Sequence, residues 1–443
     1  MTTIQTLPGI PFWKRYLLRL SIVFILLLSV PLQVDFYQQL LGISWQYLLS
    51  DLFNLVIFLP HFFGDISGFA DWFLLLAIAA LVAGLWTVKG RVDPGREASL
   101  YYFLRIFVRF RLAAILSVAG LTKLFAIFAP ALSLSHLNTP YGYFEDWKQL
   151  YLSLSAAPAY VIFLGVIELL ATVLLLFRRT SFLAVLIIIP FYGNVFLADL
   201  AYGGRHYLAS AFTVLLTLPI FFYDARRLAQ LVIQFDYTSP QRWQFDWSQV
   251  HLGYSRWIFK LLFVLLFIGL AGFKSYEVSK TASLYYPEQP GLPGIAGKYL
   301  VDEFIINGDT IPFSPANKQR WRDVVFEQWN TLSVRMNDAI KTAAPAKFLA
   351  DQQRDYEYTQ VGGRLYYRYT TAPNRTILLK NPNPAYPNDS LRLQLLRPDS
   401  THIQLYGTNS TGDTLSIALQ KVNKKYLLYE VGKRGRDRLG FKL

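Results

Sequence analysis

The chain has 443 residues, of which 53% are hydrophobic, a formal net charge of +14 and a mean hydropathy of +0.30. A soluble domain of this size needs a polar surface, so a positive mean hydropathy indicates membrane spans. The chain contains no cysteine, which excludes disulfides, thiol redox chemistry and thiolate metal sites within it.

The basic charge does not indicate nucleic acid, because the Lys and Arg residues stand beside apolar runs rather than on a polar face. That placement suits the anionic surface of a membrane. We therefore expect membrane lipid, and not nucleic acid, to be the partner of these cations.

Apolar windows of about 19 residues predict seven spanning helices. In chain order they cover residues 17–34, 72–88, 112–132, 160–177, 181–200, 207–223 and 257–273. The first begins like a signal peptide but lacks a small-residue cleavage site, so we expect a retained signal-anchor. A further apolar stretch, 45–63, is interrupted by Asp51 and Asn54, and we interpret it as an amphipathic helix on the outer interface rather than as a span.

The positive residues lie on one side of the predicted spans. They are Lys89, Arg91, Arg96, Arg105, Arg109, Arg111, Arg178, Arg179, Arg226, Arg227, Arg242, Arg256 and Lys260. By contrast, residues 34–71 contain no Lys or Arg, and the loop 133–158 contains only Lys148. Since positive residues mark the cytoplasmic side, we expect a cytoplasmic N-terminus and, after seven spans, an extracytoplasmic C-terminal part.

The last third of the chain has a different pattern from the spans. Short runs with period-two alternation, such as Leu391, Leu393 and Leu395, are separated by turn residues such as Asn307-Gly308. About eight or nine such runs predict an antiparallel all-β barrel or sandwich. One short helix is expected within residues 337–352.

The β domain offers no catalytic constellation. A closed barrel could hold an apolar ligand, although filling by side chains is the favoured interpretation. His402 is a lone histidine on a strand, so it is interpreted as a surface residue. The basic tail is expected to face solvent or lipid headgroups; it comprises Lys433, Arg434, Arg436 and Arg438.

Two ionisable residues lie inside predicted spans, where charge is costly and each such residue is a candidate site. Lys123 lies on the third span and Glu168 on the fourth. At about 1.5 Å per residue both fall near the middle of a core about 30 Å thick, so a buried ion pair is expected. Its role stays open between an interhelical clamp and a functional site.

Further polar residues are predicted to complete an outward-opening intramembrane pocket: Asn194, Asp199, Arg205 and His206. Arg105 and Arg109 share the face of Lys123 if that helix is continuous. We expect these two arginines to anchor lipid headgroups; contact with a ligand is the less favoured alternative. Asp199 and Arg205 could instead be simply solvated. The spans contain no phosphate loop, metal-ligand spacing or nucleophile elbow, so no catalytic or metal-binding residue is assigned.

Three sequence segments resemble the DoxX-like family of four-helix membrane proteins. They are GLTKL at 120–124, GVIELLATVLLLFRRTSFLAVLI at 165–187 and GNVFLADLAYGG at 193–204. The resemblance covers about residues 98–227, and the flanking parts look like the longer Bacteroidota members, which implies a Gram-negative inner membrane. Lys123 and Glu168 then correspond to intramembrane polar positions of the family. The HTTM group, related to vitamin K-dependent carboxylase, is similar in pairing a multi-helix membrane part with an extracytoplasmic β domain, but no matching catalytic motif is found.

Some DoxX-like proteins are subunits of a thiosulfate–quinone oxidoreductase, and related proteins serve as maturation or redox-partner subunits. The resemblance therefore implies an accessory subunit that binds a quinone or lipid-like molecule and has a membrane or periplasmic protein partner. A quinone-linked oxidoreductase subunit is the alternative, and a small-molecule transporter is the third hypothesis. Whether the chain is itself an enzyme is left open, and quinone is the one cofactor considered.

The fold class expected from these patterns is an α-helical polytopic membrane protein with a DoxX-like four-helix core and a C-terminal β domain. The expected parts are a two-span segment with the interfacial helix (1–97), the four-helix bundle (98–227), a cytoplasmic interfacial segment with the last span (228–280), a linker (281–296) and the extracytoplasmic β-rich domain (297–443).

Overall fold

The structure, a computed structural model, describes residues 11–30, 32–64, 66–90, 93–204, 206–237, 255–281, 285–343 and 354–426. The chain divides into two compact units. The first comprises Met1–Phe128 and Ile162–Glu277, and the second comprises Ala129–Val161 and Val278–Leu443. We call them the helical unit and the barrel unit.

The described residues form twelve α-helices. They are α1 (Phe12–Ser29), α2 (Val34–Leu41), α3 (Leu48–Ile57), α4 (Phe69–Lys89), α5 (Pro94–Leu124), α6 (Leu134–Leu137), α7 (Asp146–Ser155), α8 (Pro158–Leu176), α9 (Ser181–Ala201), α10 (Tyr207–Ala229), α11 (Ser255–Val264) and α12 (Ala271–Thr281). Two π-helical turns, Gln230–Gln234 and Leu265–Leu270, extend α10 and join α11 to α12.

Several of these helices are long and apolar enough to cross a membrane, so the protein is a multi-pass membrane protein. Among the described residues there are five such helices: Phe69–Lys89, Pro158–Leu176, Ser181–Ala201, Tyr207–Gln234 and Trp257–Lys280. The pair α1 and α2, bent by 53°, makes a sixth if it is one span. The helix α5 lies where the third span was expected and is long enough, but it carries four arginines and a lysine and is not among these candidates.

The third predicted span is displaced along the chain. Residues 112–132 were expected, whereas α5 begins at Pro94, where the Asp93 side chain accepts hydrogen bonds from the first turn, and ends at Leu124. The amides of Ile127 and Phe128 both donate to the carbonyl of Thr122, which closes the helix end. The apolar residues that follow therefore extend a hydrophobic window without extending the helix.

The apolar stretch 45–63 holds only the ten-residue α3. At about 1.5 Å per residue such a helix reaches about 15 Å, half of a membrane core. Most of its side chains are buried, and Leu48 and Leu52 pack against Leu121 of α5 and Ala271 of α12. Asp51 and Asn54 are only partly buried, so the helix is amphipathic and packs its apolar residues against protein.

The described residues of the barrel unit form nine antiparallel strands. They are β1 (Gly297–Ile306), β2 (Asp309–Thr310), β3 (Asp323–Phe326), β4 (Thr331–Arg335), β5 (Arg364–Ala372), β6 (Thr376–Lys380), β7 (Ser390–Leu396), β8 (His402–Asn409) and β9 (Thr414–Lys421). Each strand from β3 to β9 pairs with the next, and β1 pairs with both β3 and β9, which closes an eight-stranded barrel; β2 only forms a hairpin with β1. The predicted antiparallel β domain is thus confirmed as a barrel.

Apolar side chains from every strand of the closed barrel pack inside it, among them Tyr299, Phe326 and Leu405. Their inward positions follow the period of two. Residues 337–343 are not helical, and the rest of the short helix expected in 337–352 lies outside the described residues. The last predicted run, 425–431, and the basic tail also lie largely or wholly outside them.

The segment Ala129–Val161 belongs to the barrel unit although it lies between two helices of the helical unit. It contains α6, a 3₁₀ turn (Tyr141–Tyr143) and α7. Every residue of β3 is buried and β4 is nearly so, which alternation alone does not produce. The segment therefore covers the outer face of these two strands.

Two glycines set the spacing of α5 and α8. A Cβ on Gly165 would lie 2.6 Å from the amide nitrogen of Leu124, and one on Gly120 would lie 3.1 Å from the carbonyl oxygen of Gly165. Both neighbours are backbone atoms, which cannot rotate away. Small residues at such a crossing let helix backbones approach closely in a membrane.

We expect Gly165→Ala to lower stability by roughly 1–3 kcal/mol because the added methyl group overpacks the crossing. Gly193→Ala on α9 is the matched control, since a Cβ there meets nothing within 4 Å. The measurement is the thermal unfolding midpoint of each purified variant in detergent. Equal midpoints for the two variants would show that the glycine crossing does not constrain the helices.

Candidate functional site

The expected ion pair inside the helical unit is present. The Nζ of Lys123 on α5 lies 2.6 Å from Oε1 of Glu168 on α8, and the Glu168 side chain is 1% exposed. The close crossing at Gly120 and Gly165 places both side chains one turn away from the contact. Glycine spacing on the two helices thus determines where the pair forms.

A tyrosine that sequence reasoning missed completes the contact. The hydroxyl of Tyr192 on α9 donates to the same Oε1 of Glu168 at 2.8 Å. The second oxygen, Oε2, is buried and has no hydrogen-bond partner among the described residues. Tyr192 stands seven residues before Asp199, which puts both on one face of α9, and that spacing was the available clue.

Asp199 belongs to the same region of the helical unit. Its Oδ2 accepts a hydrogen bond of 2.8 Å from the hydroxyl of Ser210 on α10. It also lies within electrostatic range of Lys123 and of Tyr192. Lys123, Glu168, Tyr192 and Asp199 are therefore called the polar intramembrane site below.

Other residues predicted for this pocket are placed differently. Asn194 is exposed, because two residues after Tyr192 a helix has turned about 200° to its opposite face. His206 precedes α10 and is partly buried. Arg205 lies outside the described residues. Of the residues predicted for the pocket, the structure brings together Lys123, Glu168 and Asp199, and it adds Tyr192.

Arg105, Arg109 and Lys123 lie on one continuous helix, which is the condition for a shared face. The two arginines are nevertheless distant from Lys123 along the helix axis. From Arg109 to Lys123 the distance is about 21 Å at 1.5 Å per residue. Arg109 donates from Nε and Nη2 to the carbonyl of Leu175, at 3.0 and 2.8 Å. Arg105 stacks on the ring of Tyr223, with 3.4 Å from its Cζ to the ring centroid. These two arginines form no part of the polar intramembrane site.

The barrel unit contains a second polar cluster, which sequence reasoning missed. The carboxylate of Glu327, just after β3, accepts hydrogen bonds from the amides of Leu134 and Ser135, at 3.1 and 2.6 Å, and from the Ser135 hydroxyl at 2.5 Å. It thereby satisfies free amides at the start of α6. Beside it, Arg364 pairs with Asp323 at 2.6 Å, both fully buried or nearly so.

A second buried carboxylate, Glu357, lies close to Glu327 in this cluster. Its Oε2 accepts a hydrogen bond of 3.1 Å from the indole of Trp329, while its Oε1 has no partner among the described residues. Burial, and next the negative charge of Glu327, raise the pKa of Glu357 to about 8. Glu357 is therefore mostly protonated at neutral pH.

Two basic groups in the same cluster are buried as well. Lys148 donates to the carbonyl of Tyr356, and burial holds its pKa well below the usual value of 10.5. His136 contacts the carbonyl of Glu357 at 3.0 Å, and burial, aided by Lys148, holds its pKa well below 6.5. The sequence offered one clue to this buried lysine: Lys148 is the one Lys or Arg residue in its loop, 133–158.

The described residues contain no group of three or more His, Asp or Glu side chains that could hold a metal ion. In the barrel unit, the hydrogen bonds of Glu327 and His136 join the segment Ala129–Val161 to the strands and to the loop before β5. The cluster therefore acts as a lock that holds this segment on the barrel. The ring of His402 lies on the surface beside Asp399, at 2.8 Å.

Comparison of the chain with protein-family models, with curated proteins and with solved structures finds no match. The functional argument therefore rests on the geometry of the polar intramembrane site.

Glu357→Gln should become increasingly stabilising as the pH rises. The folded protein holds a proton on Glu357 up to about pH 8, whereas the unfolded chain releases it near the usual value of 4.5. Wild-type stability therefore falls between these two pH values, and Gln, which copies the neutral acid, removes that loss. The variant and the wild type should melt alike near pH 4.5 and diverge in favour of the variant by pH 8.

The measurement is the thermal unfolding midpoint of the full-length protein in detergent across this pH range. Lys148 and His136 contribute the opposite slope in both proteins; because the Glu357 charge acts on Lys148, these contributions cancel in the comparison while Glu357 is neutral, below about pH 8. Glu303→Gln, on an exposed position of β1, is the control and should show a constant offset. A constant offset for Glu357→Gln as well would contradict the protonated state.

Proposed function

We propose that this chain is an inner-membrane protein of a Gram-negative bacterium that binds a quinone or another lipid-like molecule at the polar intramembrane site. In this proposal it acts as a DoxX-like accessory or redox-partner subunit with a membrane or periplasmic protein partner. The one-sided distribution of cations supports a cytoplasmic N-terminus and a periplasmic barrel.

The observation that carries the proposal is the convergence of four proton-exchanging side chains in an apolar helical unit. Lys123, Glu168 and Tyr192 are in direct hydrogen-bond contact, and Asp199 lies within electrostatic range. Ionisable groups at membrane depth are costly and mark ligand sites or proton pathways by default. Lys123 can donate to a carbonyl oxygen of a ligand, and the open Oε2 of Glu168 can accept from a hydroxyl group.

A quinone-linked oxidoreductase subunit is the second candidate. It is supported by two separate contacts, Tyr192 to Glu168 and Ser210 to Asp199, which place groups that can exchange protons on three helices, α8, α9 and α10. Since the chain has no cysteine, its electrons would have to come through the quinone itself or a partner's cofactor. The transporter hypothesis gains less support, because α9 and α10 run unbroken through Pro190 and Pro219.

The test is native mass spectrometry of the protein extracted gently from its own membrane, with lipid extraction of whatever copurifies. We expect a stoichiometric quinone or lipid-like molecule with the wild type and its loss from Glu168→Gln. Tyr192→Phe, which removes one donor to Glu168, should weaken retention without breaking the ion pair. Tyr160→Phe, at an exposed position of α8, is the matched control.

The double variant Lys123→Met/Glu168→Gln separates a ligand site from a clamp. Either single change leaves a charge or polar group unpaired, so both singles should melt early, and replacing the pair should recover stability in either case. Under the proposal the recovered protein still lacks the small molecule. A recovered protein that retains the molecule, or a wild type that carries none, would leave the pair with a structural role only.

A further inference from the structure

One face of α9 is exposed along nearly the whole length of the helix. The exposed side chains recur every three or four residues, which is the spacing of a single helix face. They are Leu183, Leu186, Pro190, Asn194, Leu197 and Leu200, and we call them the α9 stripe. The opposite face of α9 is covered by its neighbours in the helical unit. Tyr192 there donates a hydrogen bond to α8, and Asp199 accepts one from α10.

Asn194 is the one polar residue of the α9 stripe, and it lies inside the membrane core. The helix that carries it is long and apolar enough to cross a membrane. At about 1.5 Å per residue, Asn194 lies about 20 Å from Ser181 and about 10 Å from Ala201, the two ends of α9. The hydrocarbon core is about 30 Å thick, so both headgroup layers are distant from Asn194. Its side chain is too short to extend to the interface as a lysine or arginine does.

The side-chain amide of Asn194 makes no hydrogen bond to any other described residue. Acyl chains offer neither donors nor acceptors, so a polar group at this depth is costly until another protein group pairs with it. In membrane proteins Asn side chains therefore form hydrogen bonds across helix–helix interfaces. The position of Asn194 indicates that another transmembrane helix covers the α9 stripe.

A second copy of this chain supplies the missing partner of Asn194 by symmetry. Two copies in one membrane have the same orientation, so a twofold axis along the membrane normal places each residue of α9 at the depth of its own counterpart. A carboxamide carries both an N–H donor and an acceptor oxygen. Two Asn194 side chains can therefore each donate to the other, whereas a different partner would need a suitable polar residue at this same depth.

We propose that the chain forms a twofold-symmetric dimer in the membrane through the α9 stripe, with each Asn194 hydrogen-bonded to its counterpart. The apolar side chains of the stripe pack around this contact, and their spacing of three and four residues matches the seam between two helices that cross at a small angle. Tyr192 and Asp199 lie on the opposite face of α9. The dimer interface is therefore separate from the polar intramembrane site, and the inference is independent of the function proposed above.

The first experiment is disulfide cross-linking of the full-length protein in its own membrane, and a chain without cysteine allows it at one chosen position. Leu197→Cys lies on the α9 stripe one turn from Asn194 and should yield a covalent dimer on mild oxidation. Phe163→Cys on α8 is the matched control, since Phe163 is 55% exposed and Leu197 is 62% exposed. Both residues lie within two turns of helix ends on the same side of the α8–α9 hairpin. Phe163→Cys should yield little covalent dimer.

The second experiment measures the dimer fraction in liposomes by single-molecule photobleaching at increasing dilution in lipid. Asn194→Leu should weaken the dimer roughly ten-fold through loss of two reciprocal hydrogen bonds, and Asn194→Gln, which keeps the amide, should retain most of the affinity. Leucine suits a lipid-facing position, so the thermal unfolding midpoint of Asn194→Leu in detergent should match that of the wild type.

A monomeric wild type, equal cross-linking of Leu197→Cys and Phe163→Cys, or an Asn194→Leu protein that dimerises like the wild type would each overturn the proposal. Cross-linking of Leu197→Cys to a different membrane protein in place of the dimer would also overturn the self-association and assign the α9 stripe to that partner.

Discussion

The cost of burying charge determines much of this structure. Taking an ion out of water costs several kcal/mol even after the protein relaxes, so a buried ion persists only with partners that offset this cost. The chain buries ionisable groups in both of its units. In the helical unit Arg19 and Lys123 are paired with acids across helices, and in the barrel unit such groups are gathered beneath one segment.

The pairs of the helical unit join elements that are distant in sequence. Arg19 on α1 contacts Glu97 on α5 and the carbonyl of Trp86 on α4. The ion pair of Lys123 and Glu168 likewise joins α5 to α8. Lipid is as apolar as leucine, so hydrophobic burial cannot select one helix arrangement over another inside a membrane. Polar pairs and close glycine contacts supply that selection.

Sequence patterns predict the membrane class and the antiparallel β domain, as a barrel or a sandwich, because both depend on periodicity, which is local. The apolar windows identified most spans, and alternation in runs such as Leu391, Leu393 and Leu395 predicted strands. Hydropathy does not determine where a helix ends, so the limits of α5 were displaced. The polar residues Asp51 and Asn54, rather than hydropathy, set the stretch 45–63 apart from a span, and α3 is indeed too short to cross.

The site residues, too, could be predicted only where a local sequence pattern marks them. Lys123 and Glu168 could be predicted because charge inside an apolar window is conspicuous in one segment. Tyr192 was not predicted as a site residue because aromatic residues are common in membrane spans. The sequence did not predict the buried cluster of Glu327, Glu357 and Lys148, because acids and lysines in loops and strands are usually solvated. Their burial arises only when Ala129–Val161 covers the barrel, and this long-range contact leaves no local pattern.

An unsatisfied buried oxygen does not by itself separate a ligand site from a clamp. One oxygen of Glu97 is as free of partners as Oε2 of Glu168, among the described residues. The difference lies in the partners, because the arginine of the Arg19–Glu97 pair has only donor groups and no acceptor. Lysine, tyrosine and aspartate can each gain or lose a proton. Lys123 and Tyr192 contact Glu168 directly and Asp199 lies within electrostatic range of both, so this site offers exchangeable donors and acceptors that an arginine clamp lacks.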